Sequence, residues 1–119
     1  MKRILVVEDN EANIYLISFI LKKNDYKVIE ARSGEEGVEL AVKEKPDLIL
    51  MDIQLPGIDG LEATRRIRES ETDSEVPIIA LTSYAMTGDR EKSLAAGCTG
   101  YIEKPINPDT FMGEMEKFF

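Results

Sequence analysis

The sequence predicts a single α/β domain built on a doubly wound, five-stranded parallel sheet. Three observations carry this. Short apolar runs alternate with helical periodicity five times from end to end, which implies parallel strands, right-handed crossovers and helices on both faces. Three of the runs, RILVV (3–7), DLILMD (47–52) and VPIIALT (76–82), are apolar in all but their terminal residues, as strands buried on both faces must be. The chain has 119 residues, 43% of them hydrophobic, enough for one domain with its own core. No internal repeat or second domain is visible, so 1–119 is read as one unit.

The elements follow in order. After the strand at 3–7, Asp9 or Asn10 can cap a helix that runs to about Lys23 with Leu16, Ile17, Ile20 and Leu21 as its inner stripe. YKVIEA (26–31) alternates like an edge strand. Ser33-Gly34 opens a second helix to about Glu44 that buries Val38, Ala41 and Val42. Pro46 stops it before the strand at 47–52. Pro56, Gly57 and Gly60 punctuate the next turn, and Leu61, Thr64 and Ile67 mark a third helix to about Ser70. The polar linker ETDSE precedes the strand at 76–82. A weaker fourth helix covers about Gly88 to Ala96 and ends at Gly97, a C-terminal cap residue. GYIEK (100–104) is a short last strand, and Pro108 is expected to start a final helix with Phe111 and Met115 on one face. Placing the most apolar strands centrally gives the order 2-1-3-4-5, the flavodoxin-like arrangement, with its switch point between strands one and three.

Composition excludes several functions. A net charge of −8 opposes direct nucleic-acid binding, which needs basic stripes to displace counterions. The absence of histidine removes every mechanism that uses a histidine of this chain as base, nucleophile or ligand. No apolar run is long enough for a membrane span or a signal peptide. One cysteine, Cys98, allows no internal disulfide, fits a reducing cytoplasm and reads as a buried structural thiol.

The first strand leads straight into Glu8 and Asp9, and the third ends in Asp52. If these strands are neighbours, about 5 Å apart, three carboxylates share one cleft at the strands' carboxyl ends, where open sheets bind ligands. Like charges that close call for a cation, and an oxygen-only donor set suits Mg²⁺. The fourth strand delivers Thr82 to the same edge, and the fifth delivers Lys104. Singly, each has a plain explanation: Asp9 as a helix cap, Asp52 as a turn residue, Thr82 as a strand former, Lys104 as a surface lysine. Together they suit a phosphoryl group held by a metal, an ammonium and a hydroxyl, with a carboxylate as nucleophile.

With ILVVEDN, PDLILMDIQLPGIDGLE, PIIALTSYA and AAGCTGYIEKPI in that order, the whole chain resembles a response-regulator receiver domain, the phosphoaccepting module of two-component signalling. EDNEAN is more similar to stand-alone regulators and hybrid-kinase receivers than to transcription factors. The resemblance implies that Asp52 accepts a phosphoryl group from a phosphohistidine on a sensor histidine kinase or histidine phosphotransfer protein. It implies that Asp9, Asp52 and the backbone carbonyl of Gln54 ligate Mg²⁺, with Glu8 acting through a water. Glu8 stands where many members have Asp. Lys104 would pair with the phosphoryl oxygens, Thr82 would move to hydrogen-bond them, and Tyr101 matches an aromatic switch position. Lys104-Pro105 matches a cis peptide of the family. Gln54 and Tyr84 occupy positions that tune hydrolysis, and the bulky Tyr84 is expected to shield the acyl phosphate.

The expected role is therefore that of a cytoplasmic signalling phosphoacceptor with self-catalysed transfer and slow autodephosphorylation. Its downstream protein target would be met through the fourth helix, last strand and last helix. Two alternatives are a binding module that is never phosphorylated and a flavodoxin-like carrier, although EDNEAN would repel a flavin phosphate. A haloacid-dehalogenase-type phosphatase would carry its acid pair as Asp-x-Asp on the first strand, a pattern not found here. No output domain follows the last helix, so the chain is expected either to work alone or to be a piece of something longer.

Overall fold

The computed structural model describes residues 2–70, 75–83 and 88–119, and the expectation for Tyr84 lies outside them. Five strands, β1 (Arg3–Val7), β2 (Lys27–Ala31), β3 (Leu48–Asp52), β4 (Ile78–Thr82) and β5 (Gly100–Glu103), alternate with five helices. The helices are α1 (Glu11–Lys23), α2 (Gly34–Glu44), α3 (Gly60–Glu69), α4 (Asp89–Ala96) and α5 (Phe111–Glu116). All strand pairs are parallel, in the order β2-β1-β3-β4-β5. β3 and β4 are buried along their whole length, whereas β2 at one edge is only partly covered. Two-sided burial explains why the central strands are continuous apolar runs and β2 is not.

Side chains that alternate along the strands build two separate cores. Ile4, Val6, Leu48, Leu50, Ile79, Leu81 and Ile102 face Ile17, Leu21, Phe111 and Met115 of α1 and α5. Leu5, Val7, Ile49, Met51, Ile78 and Ala80 face Ala41, Ala63 and Ile67 of α2 and α3. Cys98 joins this second core, 6% exposed, with its sulfur 3.7 Å from Thr64 Oγ1.

Helix ends follow local chemistry. Asn10, rather than Asp9, caps α1 by accepting a hydrogen bond from the Asn13 N–H. Ser33 and Asp59 cap α2 and α3 in the same way. Gly97 closes α4 at φ 112°, a left-handed geometry that glycine adopts without a Cβ clash.

Three sequence expectations need correction. Val42 is exposed, because α2 turns Val38 and Ala41 inward and the next position about 100° away, toward solvent. In α1 the buried stripe is Ile14, Ile17, Ile20 and Leu21, with Leu16 only partly covered. The final helix starts at Phe111 rather than Pro108. Asn107 makes a turn first: its side chain accepts from the Asp109 N–H, and its carbonyl accepts from Thr110 and Phe111.

One glycine ties the fold to the strand ends. A Cβ on Gly60 would lie 2.1 Å from the Asp52 carbonyl oxygen and 2.8 Å from the Ile53 Cα. The start of α3 therefore rests directly on the backbone at the end of β3. Backbone cannot step aside as a flexible side chain can. Gly60→Ala is expected to lower stability by about 2–3 kcal/mol in urea unfolding and to displace Asp52, visible as amide shift changes from Asp52 to Gln54.

Candidate functional site

The register of the sheet gathers the acids. Val7 pairs with Met51, so the residues that follow, Glu8 and Asp52, stand side by side where the two central strands end. Strand alternation places both on the face of Val6 and Leu50. Ile102 lies on that same face of β5, so Lys104, two residues on, returns to it. Burial here is deep: Glu8 is 1% and Asp52 3% exposed, while Asp9 is open to solvent.

Lys104 joins the two buried acids. Its Nζ lies 3.0 Å from Glu8 Oε2, 3.3 Å from Glu8 Oε1 and 3.1 Å from Asp52 Oδ2. Asn13 Nδ2, from the first turn of α1, donates to Glu8 Oε1 at 2.9 Å. The backbone N–H of Gln54 donates to Asp52 Oδ1 at 3.1 Å. The Lys104-Pro105 peptide is cis, as the resemblance implied.

The acids carry more negative charge than one lysine offsets. Burial, reinforced by the neighbouring Glu8 carboxylate and opposed by Lys104, pushes the Asp52 carboxyl up to about 7. Burial pulls Lys104 down, but the Asp52 and Glu8 carboxylates together outweigh it and hold the ammonium above its usual range. One oxygen each from Glu8, Asp9 and Asp52 falls within 4.8 Å of the others. Hard oxygen donors with surplus negative charge fit a divalent cation such as Mg²⁺.

Thr82 sits at the end of β4, 2% exposed. Alternation puts it, with Ala80, on the sheet face opposite Leu81 and Ile102. Tyr101 pairs with Ala80 across β4 and β5 and packs on that second core. The structure thus brings Glu8, Asp9, Asp52 and Lys104 together and places Thr82 and Tyr101 on one shared face. A groove of about 470 Å³, lined by Tyr101, Lys104, Thr110 and Phe118 among others, runs beside β5 and α5. Asn13 is the participant that sequence reasoning missed. Its only signal was its place five residues after Glu8 at the start of a helix.

Residues 4–116 match the family of response regulator receiver domains. The chain belongs to this family. The receiver is 42% identical over 117 residues to the polar-differentiation response regulator DivK of Brucella ovis, spanning 98% of this chain and 95% of that protein. The receiver domain of the sensor histidine kinase PA1611 of Pseudomonas aeruginosa is similar in structure, with a TM-score of 0.91 at 40% identity, covering 98% of this chain and 96% of that one. That structure has a magnesium ion coordinated in its active-site cleft. The chemotaxis response regulator CheY4 of Vibrio cholerae matches with a TM-score of 0.95 at 28% identity, over 100% of this chain and 99% of that one. This receiver is therefore a two-component signalling domain with an acidic cluster suited to a metal. Among its described residues no helix is long and apolar enough to cross a membrane.

The raised Asp52 carboxyl has a consequence for stability. Its folded pKa, about 7, exceeds the ordinary value of 3.8, so between these values the folded state holds more protons than the unfolded state. Stability then falls as pH rises through that window and the penalty is complete above it. In EDTA, Asp52→Asn is expected to exceed the parent in stability by on the order of 2 kcal/mol at pH 8, and by little at pH 4. Saturating Mg²⁺ should shrink the difference at pH 8, as read by urea unfolding.

Proposed function

We propose that the receiver is a phosphoacceptor switch in which Asp52 takes a phosphoryl group from a phosphohistidine, in a Mg²⁺-dependent reaction. The donor is a sensor histidine kinase or a histidine phosphotransfer protein. The observation that carries this reading is the Lys104 ammonium within 3.1 Å of Asp52, in a cleft where three carboxylates converge. A buried acid, a cation beside it and a cluster of hard donors are what an acyl-phosphate site requires.

In the transfer, an Asp52 carboxylate oxygen forms a bond to phosphorus as the donor's P–N bond breaks. The electron pair stays on the imidazole nitrogen, which takes up a proton. Asp9, Asp52 and the Gln54 carbonyl would hold Mg²⁺, and Glu8 would reach it only through a water. Bound Mg²⁺ supplies positive charge that offsets repulsion between phosphoryl oxygens and carboxylates. Lys104 lies close enough to Asp52 to follow the incoming oxygens, and Thr82 donates its hydroxyl to them. Because these contacts exist only with phosphate in place, they favour one of two conformations. Tyr101, on the same face as Thr82, transmits the change to the surface of α4, β5 and α5, where a downstream protein reads it. The receiver thus acts as a signalling acceptor with self-catalysed transfer and slow loss of phosphate.

Incubation with acetyl phosphate and Mg²⁺, followed by intact-mass measurement, is expected to show one phosphoryl adduct. The adduct should vanish in EDTA and in Asp52→Ala. Full labelling of Asp52→Ala would overturn the assignment. Thr82→Ala is expected to keep labelling within a few-fold of the parent while losing the chemical-shift change at Tyr101 that beryllofluoride produces in the parent.

A further inference from the structure

We infer that Asn13 is a positioning residue for the Glu8–Lys104 pair: its amide keeps Glu8 hydrogen-bonded when Lys104 leaves for a phosphoryl group. The inference rests on the reading of Asp52 as phosphoacceptor and concerns how the site bears the change of partner.

Glu8 is 1% exposed and accepts three hydrogen bonds. Two come from the one ammonium that also reaches Asp52. The third comes from Asn13. An ammonium has three donors, so engaging phosphoryl oxygens draws Lys104 away from Glu8. A buried carboxylate stripped of all its donors is costly, and that cost would oppose phosphorylation. Asn13 is the protein donor that stays, beside the water that would bridge Glu8 to Mg²⁺. Its backbone is held independently of Lys104, because the Asn13 N–H donates to Asn10 Oδ1 at the helix cap.

Neutrality suits the role. A lysine at position 13 would neutralise Glu8 in both states and compete with Lys104 for it. An aspartate would add a fourth acid to the cleft. An amide donates one hydrogen bond without changing the charge that a divalent cation meets.

Binding of Mg²⁺ alone leaves Lys104 on Glu8, whereas a phosphoryl mimic pulls it away. The two ligands should therefore respond differently to Asn13. With the full chain, Mg²⁺ affinity is measured by calorimetry, and beryllofluoride affinity by NMR titration at saturating Mg²⁺. Asn13→Ala is expected to weaken beryllofluoride about tenfold, the scale of one hydrogen bond to a charged group, and Mg²⁺ less than about twofold. Asn13→Gln, which keeps the amide, should recover most of the loss. In a Glu8→Gln background, Asn13→Ala should cost less than about twofold, because no buried charge remains to be satisfied.

Equal weakening of both ligands, unchanged beryllofluoride affinity, or a full Asn13→Ala effect in the Glu8→Gln background would each overturn the inference. A parent protein that binds Mg²⁺ but forms no beryllofluoride adduct would instead overturn the assignment of Asp52, and this inference with it.

Discussion

A single ammonium holds the functional end of this receiver together. Glu8 and Asp52 are almost wholly buried beside each other, and two carboxylates in that position oppose each other's ionisation. Lys104 reaches both at about hydrogen-bond length, which compensates part of the burial. The remainder appears as an Asp52 carboxyl displaced to about 7. The site is therefore poised: one cation short of balance, and open to solvent at Asp9, where a further cation can enter. A better-balanced cluster would be more stable and would have less reason to take up a metal.

Strand alternation divides the labour between the two faces of the sheet. Glu8, Asp52 and Lys104 continue the face that packs on α1 and α5. Thr82 and Tyr101 continue the face toward α2 and α3. Asp52, Lys104 and Glu8 are thus fixed by one core. The hydroxyl and the aromatic ring that would carry a signal belong to the other. Neighbouring side chains of β4 and β5 belong to different cores, with Leu81 and Ile102 on one face and Ala80 and Tyr101 on the other.

Glu8 illustrates how a longer side chain is put to use. It stands at a position where many receivers have aspartate, and its carboxylate is met by Lys104 on one side and Asn13 on the other. Asp52 is engaged as well, by the Gln54 N–H and by Lys104, whereas Asp9 opens to solvent. The start of α1 is drawn into the site by the Asn13 contact, since the Asn10 cap that begins the helix also fixes Asn13. The helix cap, the buried acid and the lysine form one connected polar system. A substitution at any of them is felt by the others.

The sequence by itself determined the class of fold and most of the site. Apolar runs such as RILVV and LILM can be stable only between two layers of helix, and acids placed directly after such runs must emerge at one end of a parallel sheet. That Glu8, Asp9, Asp52 and Lys104 meet at one end of the sheet, with Thr82 at the same edge, was legible for that reason, given the strand order that sets β1 beside β3. The sequence left the choice of Asp9 or Asn10 as the α1 cap open, expected Val42 to be buried and the last helix to start at Pro108, and gave no sign that Asn13 reaches back to Glu8. Tertiary structure decided the last of these, because a side chain's partner across a gap is set by packing angle and depth, which no local pattern of residues encodes.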